Sequence, residues 1–245
     1  MNQLELFLEP ERREWQKRLL ALFEVLLLAG IVSALLALTP FSLFVRTSEQ
    51  IYNNARLLTE YIFLESAITL IFLAVILKSH RETLSDLGLL WHEWKPNLFV
   101  GIILVPFLFA VNQLVGITFL FFFPKYVSLQ NPLLEIIRTP ADLFLFLVAS
   151  IIAGGIKEEL QRAFILNRFR TYLGGAKMGL VIWSIAFGLG HYTQGLQAIV
   201  SATLFGFMFG SIYLTRRNLI APVVAHALYD ISALLAFWFF KSPAQ

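Results

Sequence analysis

The chain has 245 residues, 58% of them hydrophobic and only 14% charged, with a mean hydropathy of +0.73. Soluble domains carry roughly 45–50% apolar and about 25% charged residues. The composition therefore excludes a disordered chain and makes lipid the solvent for most of the surface. A net charge of +3 does not argue for nucleic acid, because Lys and Arg collect on the cytoplasmic loops of membrane proteins. The lack of cysteine removes disulfides, thiolate metal sites and a cysteine nucleophile together.

A spanning helix needs about 20 predominantly apolar residues, and the expected fold is an all-α, polytopic transmembrane helix bundle of about seven spans. In chain order these are residues 18–44, 59–77, 98–123, 143–165, 178–194, 196–214 and 219–240, within an integral membrane bundle covering 18–240. Residues 1–17 form a charged N-terminal segment with no cleavage signal, read as a solvated lead-in on which Leu4, Phe7, Leu8 and Trp15 offer one apolar face. Residues 241–245 form a short tail. Glu60 lies near a span end, Glu24 can snorkel toward the cytoplasm, and Glu65 sits deeper in the second span. Thr83 to Trp91, followed by Trp94, reads as a short amphipathic interfacial piece. The fifth and sixth spans are diluted by Gly188, Gly190, Gly206 and Gly210, which suits helices packed closely inside a bundle. No internal repeat is present, so an inverted-repeat transporter has no support.

The positive charges sort by this topology. With the N-terminus inside, the cytoplasmic segments hold Arg12, Arg13, Lys17, Arg18, Lys78, Arg81, Lys95, Arg168, Arg170, Lys177, Arg216 and Arg217. The opposite side holds Arg46, Arg56, Lys125, Arg138 and Lys241, while Lys157 and Arg162 fall inside a span. The bias predicts an N-in arrangement.

Ionisable side chains are costly within a bilayer, yet three late segments carry them together. The fourth span has Lys157-Glu158-Glu159-Leu160-Gln161-Arg162, the fifth ends at Phe187-Gly-Leu-Gly-His191, and the seventh contains His226-Ala-Leu-Tyr-Asp230. Glu158 and Arg162 share a helical face at i,i+4, Glu159 is near Arg162 at i,i+3, and His226 and Asp230 are also at i,i+4. One carboxylate can thus be held by the arginine while the other stays free. Each site alone is compatible with a buried ion pair or an interhelical hydrogen bond. Together they exceed what bundle adhesion requires and contain the parts for activating water: a carboxylate base, a histidine and donors for an oxyanion. No Gly-x-Ser-x-Gly, His-Glu-x-x-His or phosphate-binding glycine loop occurs.

These motifs resemble the CPBP (Abi) family, the type II CAAX prenyl endopeptidases and their bacterial relatives. Phe187 to His191 and His226 to Asp230 fit its Phe-x-x-x-His and His-x-x-x-Asn/Asp patterns. Leu84-Ser-Asp-Leu-Gly-Leu89, Ser184 to His191 and Leu219 to His226 resemble the family's surroundings, so the likeness covers about 84–235. The first motif departs: the family has three residues between the second glutamate and the arginine, and here only Leu160 and Gln161 intervene. Either Glu158 takes the second glutamate's place, or Arg162 has moved by about 100° around the helix. Glu158, both histidines and Asp230 survive under either alignment.

The resemblance implies an integral, multi-pass protein of the cell (inner) membrane that hydrolyses peptide bonds of membrane-associated substrates. Glu158 or Glu159 with His191 would activate water. His226 and Asp230 would lie near the oxyanion, with Arg162 supporting. An ionised Asp230 cannot donate a hydrogen bond as Asn does, so it is expected to accept from His226 and fix its tautomer. No metal is expected, the alternative being zinc at His191, His226 and a glutamate. The implied partners are a peptide or protein substrate in the membrane and the bilayer, with no nucleic acid. Nothing in the chain marks a prenyl-binding surface. A noncatalytic membrane scaffold or small permease fits the composition equally well.

Overall fold

The computed structural model describes the backbone of residues 3–38, 51, 53–127 and 132–240, and the side chains of these except 3–12, 37, 38 and 132. Arg46, Lys241, the 241–245 tail and the side chains of Leu4, Phe7, Leu8 and Arg12 lie outside the described residues. Among those described, every element is a helix. We number seven rods. α1 runs through Gln3–Leu26, a π-helical turn at Leu27–Ile31, and Val32–Leu38. α2 is Ala55–Ser79 and α3 is Trp94–Phe122. α4 joins Pro140–Ala149, a π-helical stretch at Ser150–Glu158, and Glu159–Tyr172. α5, α6 and α7 are Ala176–Leu189, Leu196–Arg216 and Ile220–Phe240.

Each expected span falls on one of these rods, but among the described residues only five helices are long and apolar enough to cross a membrane. The fifth expected span is corrected by length: α5 has 14 residues, a rise of about 21 Å, too short for a hydrocarbon layer of about 30 Å. α4 is long enough, but its ionisable cluster lowers its hydropathy. It lies against α1, α2, α5 and α7, so those charges are covered by protein. α3 instead carries Phe99, Phe107, Leu114, Phe121 and Phe122 well exposed, as a lipid-facing helix should.

Local chemistry sets the helix ends. Thr139 caps α4 with its hydroxyl on the Asp142 N–H, and the Asp142 carboxylate accepts from the Thr139 N–H, a reciprocal capping box followed by Pro140 at the first turn. Burial acts to raise the Asp142 pKa, but the Thr139 and Arg138 N–H groups and the Thr139 hydroxyl outweigh it and hold the carboxyl below the usual aspartate value. α5 and α6 pack so closely that a Cβ on Gly188 would lie 1.9 Å from the Thr203 hydroxyl, and one on Gly206 would lie 2.9 Å from the Ser184 Cα. This is the small-residue packing that the glycine content predicts.

Most of the basic residues assigned to the cytoplasmic side gather at one end of the bundle. There Arg168 on α4 grips Glu82, Arg216 on α6 donates to Asn97 on α3, and the Leu219 N–H donates to the Gly88 carbonyl at 2.8 Å. The 83–91 segment, expected as a short amphipathic interfacial piece, is built from tight turns. Asp86 accepts from both the N–H and the hydroxyl of Thr83, and Gly88 turns the chain at φ +89°. Leu87 is wholly buried by that turn. Glu24 is also corrected. It does not snorkel but is 4% exposed, accepting from Arg168 at 2.7 Å and pairing with His80. Arg168, buried over the Phe164 ring, thereby joins α1, α4 and the chain after α2. Glu60 pairs with Arg56 in an exposed position.

Candidate active site

The late helices enclose a cavity of about 510 Å³ lined by residues of α2 to α7, with Glu158, His191, His226 and Asp230 in its wall. Four of the five expected catalytic residues therefore line one cavity. The fifth, Glu159, is fully buried behind it.

The π-helical stretch at Ser150–Glu158 sets this division. Its wider turn ends at Glu158, and α-helical geometry resumes at Glu159. Such local widening of a helix is frequent at functional sites because it re-aims side chains. Arg162 then reaches Glu159 across one α-helical turn. Its Nε donates to Oε2 at 2.9 Å and its Nη2 to Oε1 at 3.1 Å, both groups being buried. Arg162 also donates to the Gly206 carbonyl at 3.3 Å and lies 4.6 Å over the Phe187 ring and 5.5 Å from that of Phe209. The shortened Glu-Glu to Arg spacing is thus met by pairing Arg162 with the second glutamate at i,i+3, leaving Glu158 to the cavity.

His226 is held from both sides. Its Nδ1 lies 2.8 Å from Glu159 Oε1, and its ring stacks on Phe209 at a centroid distance of 4.8 Å. Nε2 points to Glu158 Oε2 at 3.8 Å and Asp230 Oδ2 at 3.7 Å. Both separations exceed a direct hydrogen bond but leave room for a bridging water. The expected Asp230 to His226 hydrogen bond is therefore corrected: Glu159, 67 residues away in sequence, fixes the ring. His191 donates its Nδ1–H to the Phe187 carbonyl at 2.9 Å, so the neutral ring presents Nε2 as an acceptor. Gly154 permits this crowding, since a Cβ there would stand 2.7 Å from Asp230 Oδ2 and 3.3 Å from His226 Nε2.

Two charged residues that the sequence singles out, Lys157 in the α4 cluster and Glu65 deep in α2, flank Glu158. Lys157, only 8% exposed, sits 3.1 Å from Glu65 Oε2 and 3.5 Å from Glu158 Oε1. Glu65 accepts also from Ser33 and Thr69. A third carboxylate, from α2, thus balances the lysine beside Glu158. Across the cavity, Ser201 donates to Asn112, and Gln197 keeps a buried amide oxygen with no partner. Gly154 could have been flagged only by standing one turn before Glu158, and Phe209, on a helix without a motif, carried no such signal. Gln197 could not have been flagged at all.

A zinc ion requires three or four converging ligands about 2 Å from the metal. Among the described residues no group of three His, Asp or Glu side chains is arranged to hold one. The donors as they stand do not fit the zinc alternative.

No curated protein and no solved structure matches the chain. Residues 139–232 match the family model of Rce1-like type II CAAX prenyl endopeptidases. The matched segment begins at the Thr139 cap of α4 and ends in α7 beyond Asp230, so it contains all of Glu158, Glu159, Arg162, His191, His226 and Asp230. Over this segment, which holds the whole polar cluster, the chain is thus similar to the Rce1-like type II CAAX prenyl endopeptidases.

Proposed function

We propose that this protein is an intramembrane endopeptidase that cleaves peptide bonds of membrane-associated polypeptides with water activated by Glu158. The observation that carries the reading is the division of labour in the Glu158-Glu159 pair. Glu158 lines the cavity, while Glu159 is sealed beneath it and engaged by Arg162 and His226. In this scheme Glu158 takes a proton from a water as its oxygen bonds to the scissile carbonyl carbon. His191 Nε2 accepts the water's second hydrogen bond and orients the attack. The oxyanion forms against His226, whose Nδ1 side is anchored by Glu159 and whose Nε2–H is the donor. Asp230 accepts through solvent on that same nitrogen's side and keeps the proton there. The proton on Glu158 then passes to the leaving amine as the C–N bond breaks.

The chain is proposed to sit N-terminus inside in the cell (inner) membrane, which sets the basic end of the bundle in the cytoplasm. The substrate is a peptide or protein within or at the bilayer, and no metal takes part. To test this, peptide termini are compared in membranes holding wild-type protein and Glu158→Ala, with and without prior chelation. Termini that depend on Glu158 and persist after chelation are expected. Stoichiometric zinc whose removal abolishes them would overturn the metal-free chemistry, and identical termini in both membranes would overturn the protease reading.

A further inference from the structure

A second cavity of about 570 Å³ lies on the bundle's flank between α2 and α4, away from the active site. Its wall is Leu70, Leu73, Ala74, Leu77, Leu84 and Leu160, and its mouth carries Lys78, Arg81 and Glu82. Leu70, Leu73 and Leu77 run up the last turns of α2. The cations stand where α2 ends, in the stretch of chain that leads to the exposed Trp91 and Trp94, a residue type that suits the water interface.

The acidic groups near the mouth are engaged by other partners. Glu82 is taken up by the Arg168 fork at 2.8 and 2.9 Å, and Asp86 is engaged by Thr83. Among the described residues neither Lys78 nor Arg81 has an ion-pair partner in the structure, and both are exposed. Two exposed cations without a direct ion-pair partner among the described residues therefore stand at the mouth of an apolar groove.

Arg81 is also held in a conformation that its side chain does not favour. α2 closes with the Arg81 N–H on the Lys78 carbonyl at 3.1 Å and the Glu82 N–H on the Leu77 carbonyl at 2.8 Å. This is the bond pattern of a Schellman cap, whose left-handed residue is usually glycine. Arg81 occupies that place at φ +58°. Elsewhere among the described residues glycine takes the positive-φ positions, at 88, 174, 175 and 195, and Arg217, the other exception there, lies against the Tyr213 ring. Arg81 has no such contact. Backbone strain borne by an unpartnered cation is a reason to look for the anion it serves.

We propose that this groove binds an anionic phospholipid, with one acyl chain along the leucines between α2 and α4 and the phosphate between Lys78 and Arg81. Apolar wall, cationic mouth and interfacial depth each match one part of that molecule, and a headgroup lacking the chain would leave the wall unused. The site lies outside the 139–232 segment except for Leu160 and needs no proteolysis to be observed.

The test is lipid retention by native mass spectrometry after reconstitution with phosphatidylglycerol or phosphatidylcholine of matched chains. Wild type is expected to retain phosphatidylglycerol preferentially. Lys78→Gln with Arg81→Gly should cut the preference by about thirtyfold, near fivefold for each cation at the surface. Arg81→Gly supplies the residue that the cap favours, so its thermal stability in neutral lipid should be equal to or above wild type. A lost preference in that variant is then not misfolding. Ala74→Trp, which fills the groove and keeps both cations, should also abolish retention. Equal retention of the two lipids by wild type, an unchanged preference in the double variant, or equally tight binding of soluble glycerol phosphate would each overturn the proposal.

Discussion

Glu159 and Arg162 stand one helical turn apart on α4, joined by two N–H···O bonds of 2.9 and 3.1 Å in a position where neither touches the cavity. Their neighbours depend on that pair, since Glu159 anchors His226 and Arg162 stacks against Phe187. Breaking such a buried pair from one side leaves a charge without compensation, at a cost of about 3–5 kcal/mol. Arg162→Met and Glu159→Gln should each fall in that range by denaturant titration in detergent. The double variant Glu159→Gln/Arg162→Met should recover much of the stability but not activity, because His226 loses its anchor. Additive losses in the double variant would show that the two side chains are not coupled.

Gly154 is the point at which a single methyl group enters the site. Its Cβ would lie 2.7 Å from the Asp230 carboxylate and 3.3 Å from His226 Nε2. The carboxylate can swing aside, so Gly154→Ala should fold normally. Displacing reacting groups by about 1 Å costs on the order of a hundredfold in rate, and a loss of this size in kcat at unchanged melting temperature is expected. Wild-type turnover would mean that Asp230 and His226 have slack that the geometry does not suggest.

The Glu65 to Lys157 contact ties α2 to the residue beside the proposed base. Removing Glu65 leaves the buried lysine with Glu158 as its nearest carboxylate, drawing that carboxylate from the cavity. Glu65→Gln should therefore lower kcat and shift the pH–rate profile, whereas Glu65→Gln/Lys157→Met should restore the profile toward wild type. An unshifted profile in the single variant would reduce Glu65 to a structural partner.

At the start of α4, loss of the Thr139 hydroxyl should destabilise the protein by about 1 kcal/mol, the usual worth of an N-cap. The reciprocal half of the cap depends on pH. Because the folded-state Asp142 pKa is depressed, its contribution is complete above the unfolded value near 3.8 and is lost as pH falls through the lower folded value. The stability gap between wild type and Asp142→Asn should therefore be constant near neutrality and close in acid. A gap that persists at the lowest pH would place the effect elsewhere than in the carboxylate.

Much of this architecture is written locally and could be read from the chain alone. The seven helical segments follow from apolar run length, and the polar cluster on α4, α5 and α7 is conspicuous because charges are scarce elsewhere. What the motifs could not carry was pairing at long range. Glu24 reads as a snorkelling residue until Arg168, 144 positions later, is seen to fold onto it. Asp230 reads as the partner of His226 because the two are four apart on one helix, while Glu159 lies closer in space. The role of the two adjacent glutamates was likewise hidden, since it turns on a π-helical stretch that changes side-chain direction without changing composition. The length of α5 was misjudged because the helix stops at Leu189 with Gly190 as its cap, whereas the expected span ran on through the polar turn at Tyr192–Gln194.

The central claim is that Glu158 acts on water while Glu159 only positions, and the most direct measurement is cleavage by Glu158→Gln in membranes alongside its melting temperature. Glu158 is partly exposed to the cavity and its amide analogue has nearly the same shape, so folding should be retained. Cleavage is expected to fall to background with no drop in melting temperature, whereas Glu159→Gln should lose stability as well. Cleavage at the wild-type rate by a folded Glu158→Gln protein would contradict the assignment.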